Sequence, residues 1–331
     1  MRAYRHTSFT GFDALDLVHE DIPQPEAGQV LVRVRASSLN FRDPVIARGE
    51  FPFPASPGFI ALSDGAGEIE AIGAGVTRFA VGDRVVNSFL PTWFGGKLRE
   101  IGQQYVLDLD GWLAEYRVVS EQALVTMPAH LTFEEAATLP CTAVTAWTAL
   151  AGLTPGDTVL TQGSGSVSLF ALQLAQTLGA RVIATTSSDE KARRLKELGA
   201  QAVVNYVQTP EWSAAVLALT DGRGVERVVE VGGPGTIAQS IKSVAHAGEI
   251  ALVGMLDPTP QGMSLIDFFL SQSTLRTIGI GSREDLENMS RALSLHAIHP
   301  IIDRVFPFEE ARRAFEHFDA GQHFGKVVIT H

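Results

Sequence analysis

The segment Thr158-Val159-Leu160-Thr161-Gln162-Gly163-Ser164-Gly165-Ser166-Val167-Ser168 constrains this chain more than any other. An apolar run stops at a glycine turn and gives way to helical spacing, with Phe170, Leu174 and Leu178 on one stripe. Gly-x-Gly between a strand and a helix lets the backbone approach a pyrophosphate, which then rests on the unpaired N–H groups of the helix N-terminus. Gly163, Ser164, Gly165, Ser166 and Val167 are therefore candidate dinucleotide contacts. Ser168 stands where this fingerprint usually carries glycine or alanine, and it is still small enough for close helix–strand packing. Taken alone, the turn equally describes an ordinary tight turn. Its surroundings separate the two readings: a strand over 181–185, a helix over 189–198 and a strand over 202–205 supply the βαβ context that the motif requires.

The alternation continues with strands over 225–231, 249–254 and 275–281 and a helix between the first two, so the middle of the chain reads as a doubly wound parallel sheet. A chain of 331 residues has room for a second domain. Up to about residue 126 the pattern is mainly β. Val30-Leu31-Val32-Arg33-Val34-Arg35-Ala36 alternates, and Gly/Pro turns separate it from short strands in 63–73, from 82 on and over 112–119. Many short strands with such turns suggest a distorted barrel. A proline-rich loop spans 51–58, and 87–110 has no regular pattern. Thr132 and Glu135 have the spacing of a capping box, and a second helical stretch covers 141–150. Helices over 284–296 and 308–318 and a strand over 326–330 close the sequence.

Composition narrows the function. The net charge of -11 disfavours nucleic acid or an anionic membrane as the main partner. No apolar run approaches membrane-spanning length and no signal-peptide pattern opens the chain, so the expected compartment is the cytoplasm. The single cysteine, Cys141, rules out an internal disulfide and any multi-cysteine zinc site.

These pieces together resemble the medium-chain dehydrogenase/reductase superfamily over essentially the whole chain. The resemblance is carried by 30–36, Asn40-Phe41-Arg42-Asp43, Asp64-Gly65-Ala66-Gly67, Gly82-Asp83-Arg84-Val85, Leu139-Pro140-Cys141, Thr145-Ala146-Trp147, the Gly163 turn and Gly325-Lys326-Val327-Val328-Ile329. It implies an α/β fold in which a Rossmann doubly wound parallel sheet (127–281) is inserted into a GroES-like distorted β-barrel catalytic domain (1–126, completed by 282–331). It also implies a homodimer through the edge strand between Leu275 and Gly281. An apolar edge needs covering on physical grounds as well.

Many relatives hold a catalytic zinc on Cys, His and Cys. Aligned on the motifs, those positions carry Asn40, Ser63 and Cys141 here, so one usual ligand of three survives and no zinc is expected. His296 and His299 lie near one helix end without a third ligand and read as surface residues. Without a Lewis acid, reduction of a simple carbonyl needs a Tyr or Lys acid to meet the alkoxide. None of Tyr4, Tyr105, Tyr116 and Tyr206 falls in a recognised cleft motif. A quinone or an α,β-unsaturated ketone spreads that charge over a π system and needs only modest donors. The resemblance to zinc-independent quinone oxidoreductases and enone reductases fits that logic. The leading expectation is NADPH-dependent reduction of such a small electrophile. The alternatives are a metal-free NAD(P)-dependent alcohol dehydrogenase and a non-catalytic NADPH-binding protein.

By the same resemblance Asn40, Arg42 and Asp43 face the reacting centre. Asn40 is read as a donor to the substrate oxygen, and Arg42 with Asp43 either shapes that wall or forms a structural ion pair. Trp93 and Phe94 form either an aromatic wall for a flat substrate or the anchor of their loop. The second strand of the βαβ unit ends in Ser187 and Ser188, followed by Lys191, rather than in the acidic residue that would hold the ribose hydroxyls of NAD. That suits the 2′-phosphate of NADP(H), with NAD(H) the alternative. Ser187 and Glu190 also have capping-box spacing. Tyr206, Gly232, Gly254, Met255, Gly281, Thr145 and Lys326 are further cofactor contacts implied by the family match.

Overall fold

The computed structural model describes every residue except 54, 56, 260 and 261. The expected loop 51–58 includes two of these, which lie outside the described residues. The chain divides into two compact units, Met1–Val144 with Ile280–His331, and Thr145–Gly279.

The first unit begins with a hairpin of β1 (Arg2–His6) and β2 (Leu15–His19). β3 (Gln29–Ser38) is its organising strand. One edge pairs with β4 (Asp64–Ile72), and the other pairs with β6 (Tyr116–Ser120) near its start and β15 (Lys326–Thr330) near its end. Between them come α1 (Arg42–Ala47), β5 (Arg84–Asn87) and, after β6, β7 (Leu124–Thr126). The seven-stranded sheet runs β14 (Ile302–Pro307), β15, β3, β4, β5, β7, with β6 branching from β3. Val30, Val32 and Val34 point to one core with Ile69, Val85 and Leu124, as the alternation requires. A second core gathers Leu39, Ile60, Phe306, Phe315, Val327 and Ile329. Each fully buried residue of this size contributes roughly 1.5–3 kcal/mol. The expected strand over 112–119 is shorter: Trp112 turns back on the carbonyls of Ala61 and Leu62, and pairing with β3 starts only at Tyr116.

Residues 127–144, which the family match assigns to the inserted segment, lie in the first unit. α2 (Phe133–Ala136) carries the anticipated capping box of Thr132 and Glu135, and Ser38 Oγ donates to Ala137 O at 2.8 Å. A π-turn over Leu139–Ala143 follows and runs into α3 (Val144–Ala149).

The second unit is a six-stranded parallel sheet: β8 (Thr158–Gln162), β9 (Arg181–Thr186), β10 (Ala202–Asn205), β11 (Val225–Glu230), β12 (Val244–Leu252) and β13 (Thr274–Thr277). Its spatial order is β10-β9-β8-β11-β12-β13. The order reverses between β8 and β11, which is where open α/β sheets bind ligands. α4 (Ser166–Thr177), α5 (Asp189–Glu197), α6 (Trp212–Leu219), α7 (Ile237–Ser243) and α8 (Leu265–Ser271) connect the strands. Leu160, Ile183, Val204, Val228 and Ile250 meet Trp212, Val216 and Ile241 in its core. β12 starts earlier than the pattern suggests because its pairing with β11 jumps from Val244 to Glu249, with Ala247 at positive φ between them. Back in the first unit, α9 (Arg283–His296) and α10 (Ala311–Asp319) complete the fold. Among the described residues no helix is long and apolar enough to cross a membrane.

Candidate active site

In the second unit, β8 is buried along its whole length and ends at Gly163, which takes φ +73°, a conformation glycine alone adopts without strain. Gly163 N donates to Thr185 O at 2.9 Å, which aligns the turn with the end of β9. Ser164 is buried, Gly165 is the N-cap of α4, and Ser166 and Val167 form its first turn. Gly165 has no side chain to cap that helix, and a Cβ placed on Gly163 or Gly165 would meet nothing within 4 Å. The backbone therefore presents an open face at a helix N-terminus, which fits a pyrophosphate. Ser168 does more than stay small: its Oγ donates to Gln162 O at 2.6 Å and ties helix to strand.

The far side of the switch point is built by a network the sequence reading missed. Glu230, fully buried at the end of β11, accepts from Gly233 N (2.8 Å), Gln162 Nε2 (2.8 Å) and the hydroxyls of Thr236 and Ser240. Gln162 Oε1 accepts from Val231 N and Gly232 N at 3.1 and 3.2 Å. Asp257 N donates to Gly232 O and Leu256 N to Val231 O, so the Gly232 and Gly254–Met255 turns are stitched together. A Cβ on Gly254 would sit 2.5 Å from Val231 O. The available signal was a glutamine and a glutamate ending two apolar strands, with no indication that they meet. Thr145 is buried in the first turn of α3.

At the end of β9, Ser188 and not Ser187 is the N-cap of α5, accepting from Lys191 N at 3.2 Å. This corrects the Ser187–Glu190 capping box: β9 runs on through Thr186, so the first flanking residue with extended backbone is Ser188. Ser187 is exposed. Tyr206 joins this corner through Tyr206 N to Thr186 O at 2.9 Å. The Asp189 carboxylate accepts from Asn205 Nδ2 and Gln208 Nε2, and these bonds hold it below the usual carboxylate range.

In the first unit, Asn40, Arg42, Asp43, Ser63, Asp64, Cys141 and Lys326 form one cluster. Asp43, at the start of α1, reaches back to accept from Asn40 N at 2.6 Å. No hydrogen bond joins Asp43 to Arg42, because adjacent helical residues do not face each other. The Arg42 guanidinium instead donates to Ser63 Oγ (2.8 Å), Gln104 Oε1 (3.3 Å) and Tyr105 O, and lies 4.6 Å from the Phe89 ring centroid. Arg42 thus ties the irregular loop to Ser63, the residue before β4, and its pairing with Asp43 is only through space. Burial pushes the Asp43 carboxyl up to about 7, opposed chiefly by Arg42.

Lys326 is fully buried. Its Nζ donates to Leu39 O at 2.6 Å and Asn40 Oδ1 at 2.8 Å, and lies 3.7 Å from Asp64 Oδ2. Burial lowers this ammonium and raises the Asp64 carboxyl, while their attraction opposes both shifts. Asp64 Oδ2 also accepts from Cys141 N, and burial together with that carboxylate pushes the Cys141 thiol far above its ordinary value. A thiol held protonated is a poor nucleophile.

The zinc-ligand positions of the family therefore do not suit zinc. The carbonyl of Asn40 is taken by Lys326 and the hydroxyl of Ser63 by Arg42, which leaves Cys141 as a single ligand of the usual three. Among the described residues no group of three or more His, Cys, Asp or Glu is placed to hold a metal ion.

Trp93 and Phe94 anchor their loop to α9: their carbonyls accept from Arg283 N and Glu284 N at 3.0 Å. Trp93 Nε1 donates to Gly96 O, and the Arg283 guanidinium lies 4.8 Å from the Phe94 centroid. Gly281 is buried just before Ser282, the N-cap of that helix.

Two family profiles match the chain, the alcohol dehydrogenase GroES-like domain over 26–129 and the zinc-binding dehydrogenase profile over 166–294. A zinc-type alcohol dehydrogenase-like protein of Schizosaccharomyces pombe is 40% identical, with 99% of each chain covered. An acryloyl-coenzyme A reductase of Metallosphaera sedula is 29% identical over 93% of this chain and 94% of its own. A crystal structure of an NAD-dependent alcohol dehydrogenase superposes with a TM-score of 0.90 at 33% identity, covering 100% of both chains.

Proposed function

Since the chain is an oxidoreductase belonging to the medium-chain dehydrogenase/reductase superfamily, in its zinc-independent branch, we propose that it uses NADPH to reduce a quinone or an α,β-unsaturated carbonyl. One observation carries this reading: the acceptor atoms a zinc ion would need at Asn40 and Ser63 are already bonded to Lys326 and Arg42. A substrate that must localise a full alkoxide charge is poorly served by such a site. A conjugated acceptor is well served. Hydride added at its β-carbon sends the π electrons to oxygen, the resulting enolate is met by the Asn40 amide N–H, and a solvent proton at the α-carbon completes the two-electron reduction. The name of the Metallosphaera relative denotes a reductase of a conjugated thioester, which is the same substrate chemistry.

Bound NADPH supplies the hydride. Gly163 to Val167 hold its pyrophosphate through backbone N–H groups, and Ser187, Ser188 and Lys191 take the 2′-phosphate. Tyr206 lines the adenosine side. Gly232, Gly254, Met255, Thr145 and Gly281 serve the nicotinamide half. Asp189 turns toward Asn205 and Gln208, which removes one objection to a phosphate beside Lys191. Phe94, 45% exposed, offers a face to flat substrates, while Trp93 positions the loop that carries it. The dimer is proposed to form through β13, an edge strand of the six-stranded sheet. Neighbouring α8 leaves Leu265, Ile266, Phe269 and Leu270 exposed, and a partner subunit would cover them.

The test is cofactor absorbance at 340 nm with purified protein. NADPH oxidation is expected with an enone or a 1,2-quinone. Turnover only with an alcohol and oxidised cofactor would replace this reading with the metal-free alcohol dehydrogenase, which the likeness to the NAD-dependent enzyme favours. Saturable NADPH binding without turnover on any acceptor would leave a binding protein. Lys191→Ala is expected to raise KM for NADPH about tenfold, the loss of one charge-assisted contact, with NADH unaffected. Equal effects on the two cofactors would remove Lys191 from the phosphate site.

A further inference from the structure

Lys326 has a role that a cofactor contact does not describe. An ammonium carries only donors, so the Asn40 atom 2.8 Å from Lys326 Nζ must be the carbonyl oxygen. Chemistry fixes which way this amide faces, where an isolated amide would be free to flip. The NH2 end must then lie on the other side. Asn40 is 3% exposed, and its Nδ2 is buried with no hydrogen-bond partner among the described residues. The Asn40 amide acts on the Asp64 carboxyl as a weak donor and lowers it, yet the two groups make no hydrogen bond of ordinary geometry, and Asp64 Oδ1 is likewise unmatched among the described residues. A buried unmet N–H is costly, so a chain that grips one end of an amide this firmly and leaves the other unsatisfied is holding a donor ready. Lys326 is itself held in place: Leu39 O takes one N–H, Asn40 another, and the Asp64 carboxylate faces the third.

We propose that Lys326 is a positioning residue: by holding Asn40 Oδ1 it orients the Asn40 Nδ2–H donor for the oxygen of the conjugated carbonyl, and its charge polarises that donor. The proposal rests on the reading of Asn40 as the group that meets substrate oxygen. It explains why a lysine is buried here at all, since a fully buried ammonium is costly unless its bonds are used. Arg42 completes the pattern by occupying Ser63 in the same way. Two fixed cations stand around the ligand positions of the zinc-dependent relatives, one acting on the reacting donor and one on the wall.

The test uses full-length protein with NADPH and 2-cyclohexen-1-one. Lys326→Met is expected to lower kcat about 100-fold, the size of losing one oriented oxyanion donor, with KM for NADPH within about twofold of wild type. Lys326→Arg, which keeps charge and donors, is expected to recover at least about tenfold of that loss. A kcat within about threefold of wild type, or a loss confined to KM for NADPH, overturns the proposal. Lys326→Met strands the Asp64 carboxylate, so the double variant Lys326→Met/Asp64→Asn carries the same expectation should the single variant fail to fold. A second readout does not depend on turnover. In protein labelled with 15N-asparagine, the Asn40 side-chain signal is assigned by its loss in Asn40→Asp. It is expected to shift in Lys326→Met and to stay put in Lys191→Ala. An unmoved Asn40 signal sinks the positioning role whatever the enzyme reduces. A moved signal in a protein inert toward enones and quinones would instead retire the proposed substrate class and leave the Lys326–Asn40 coupling standing.

Discussion

Two buried polar clusters, one in each unit, solve opposite problems. Around Glu230 a single carboxylate with no cation among its hydrogen-bond partners is met by four donors, and the amide of Gln162 that helps it is itself used at both ends. Around Asn40 there are two cations and two carboxylates, yet among the described residues Asn40 Nδ2, Asp43 Oδ1 and Asp64 Oδ1 make no hydrogen bond of ordinary geometry. A satisfied network stiffens what it touches, and a partly satisfied one is expensive unless something else completes it. The first cluster therefore reads as scaffold for the two turns of the parallel sheet. The second reads as chemistry.

The sharpest way to break this contrast is Glu230→Ala. It would leave Gln162 Nε2, Gly233 N and the hydroxyls of Thr236 and Ser240 buried without their acceptor. A loss of about 3–5 kcal/mol in urea unfolding is expected, the range for removing the centre of a buried network. A loss below about 1 kcal/mol would mean that the network is ornamental.

Asn40→Asp asks the converse question. The new carboxylate still accepts from Lys326 but sets a second oxygen beside Asp64, so a loss of stability smaller than that of Glu230→Ala is expected. The N–H donor is gone, and kcat for an enone should fall about 100- to 1000-fold. If stability collapses while the surviving folded fraction turns over normally, the two clusters have been assigned the wrong way round.

The same contrast marks what could be read from the chain. The turn at Gly163 was legible because its determinants are local: a buried apolar strand, a residue at positive φ and a helix of regular period within twenty residues. The Thr132–Glu135 cap and the last strand at Lys326–Thr330 were legible for the same reason. The hairpin of β1 and β2 was not, since Arg2, Arg5 and His6 blur the alternation and its pairing partner lies across a loop. Lys326 was visible as a motif residue, but its meaning depends on Asn40, 286 positions away. Gln162 and Glu230 are 68 apart and carry no individual signature. Arg42 was expected beside Asp43 because they adjoin in sequence, and helical geometry separates them.

The smallest effect tests whether the Asn40 cluster is electrostatically unsettled, as its unmatched oxygens imply. Asp43 is fully enclosed and its carboxyl is pushed up to about 7 by burial. In the unfolded chain the same group titrates near 3.9. The folded state therefore holds this proton more tightly. Its contribution to stability is complete below about pH 3.9, declines as the pH rises above that, and is lost once the pH has passed through 7. Asp43→Asn keeps an oxygen for Asn40 N and has no proton to lose. The stability of wild type relative to Asp43→Asn should thus fall by about 1.4 kcal/mol between pH 6 and pH 8, one decade of proton affinity. Paired urea titrations at the two pH values measure it. A difference that does not change with pH would show that Arg42 and Lys326 already neutralise the carboxylate, and that the cluster is as settled as the one around Glu230.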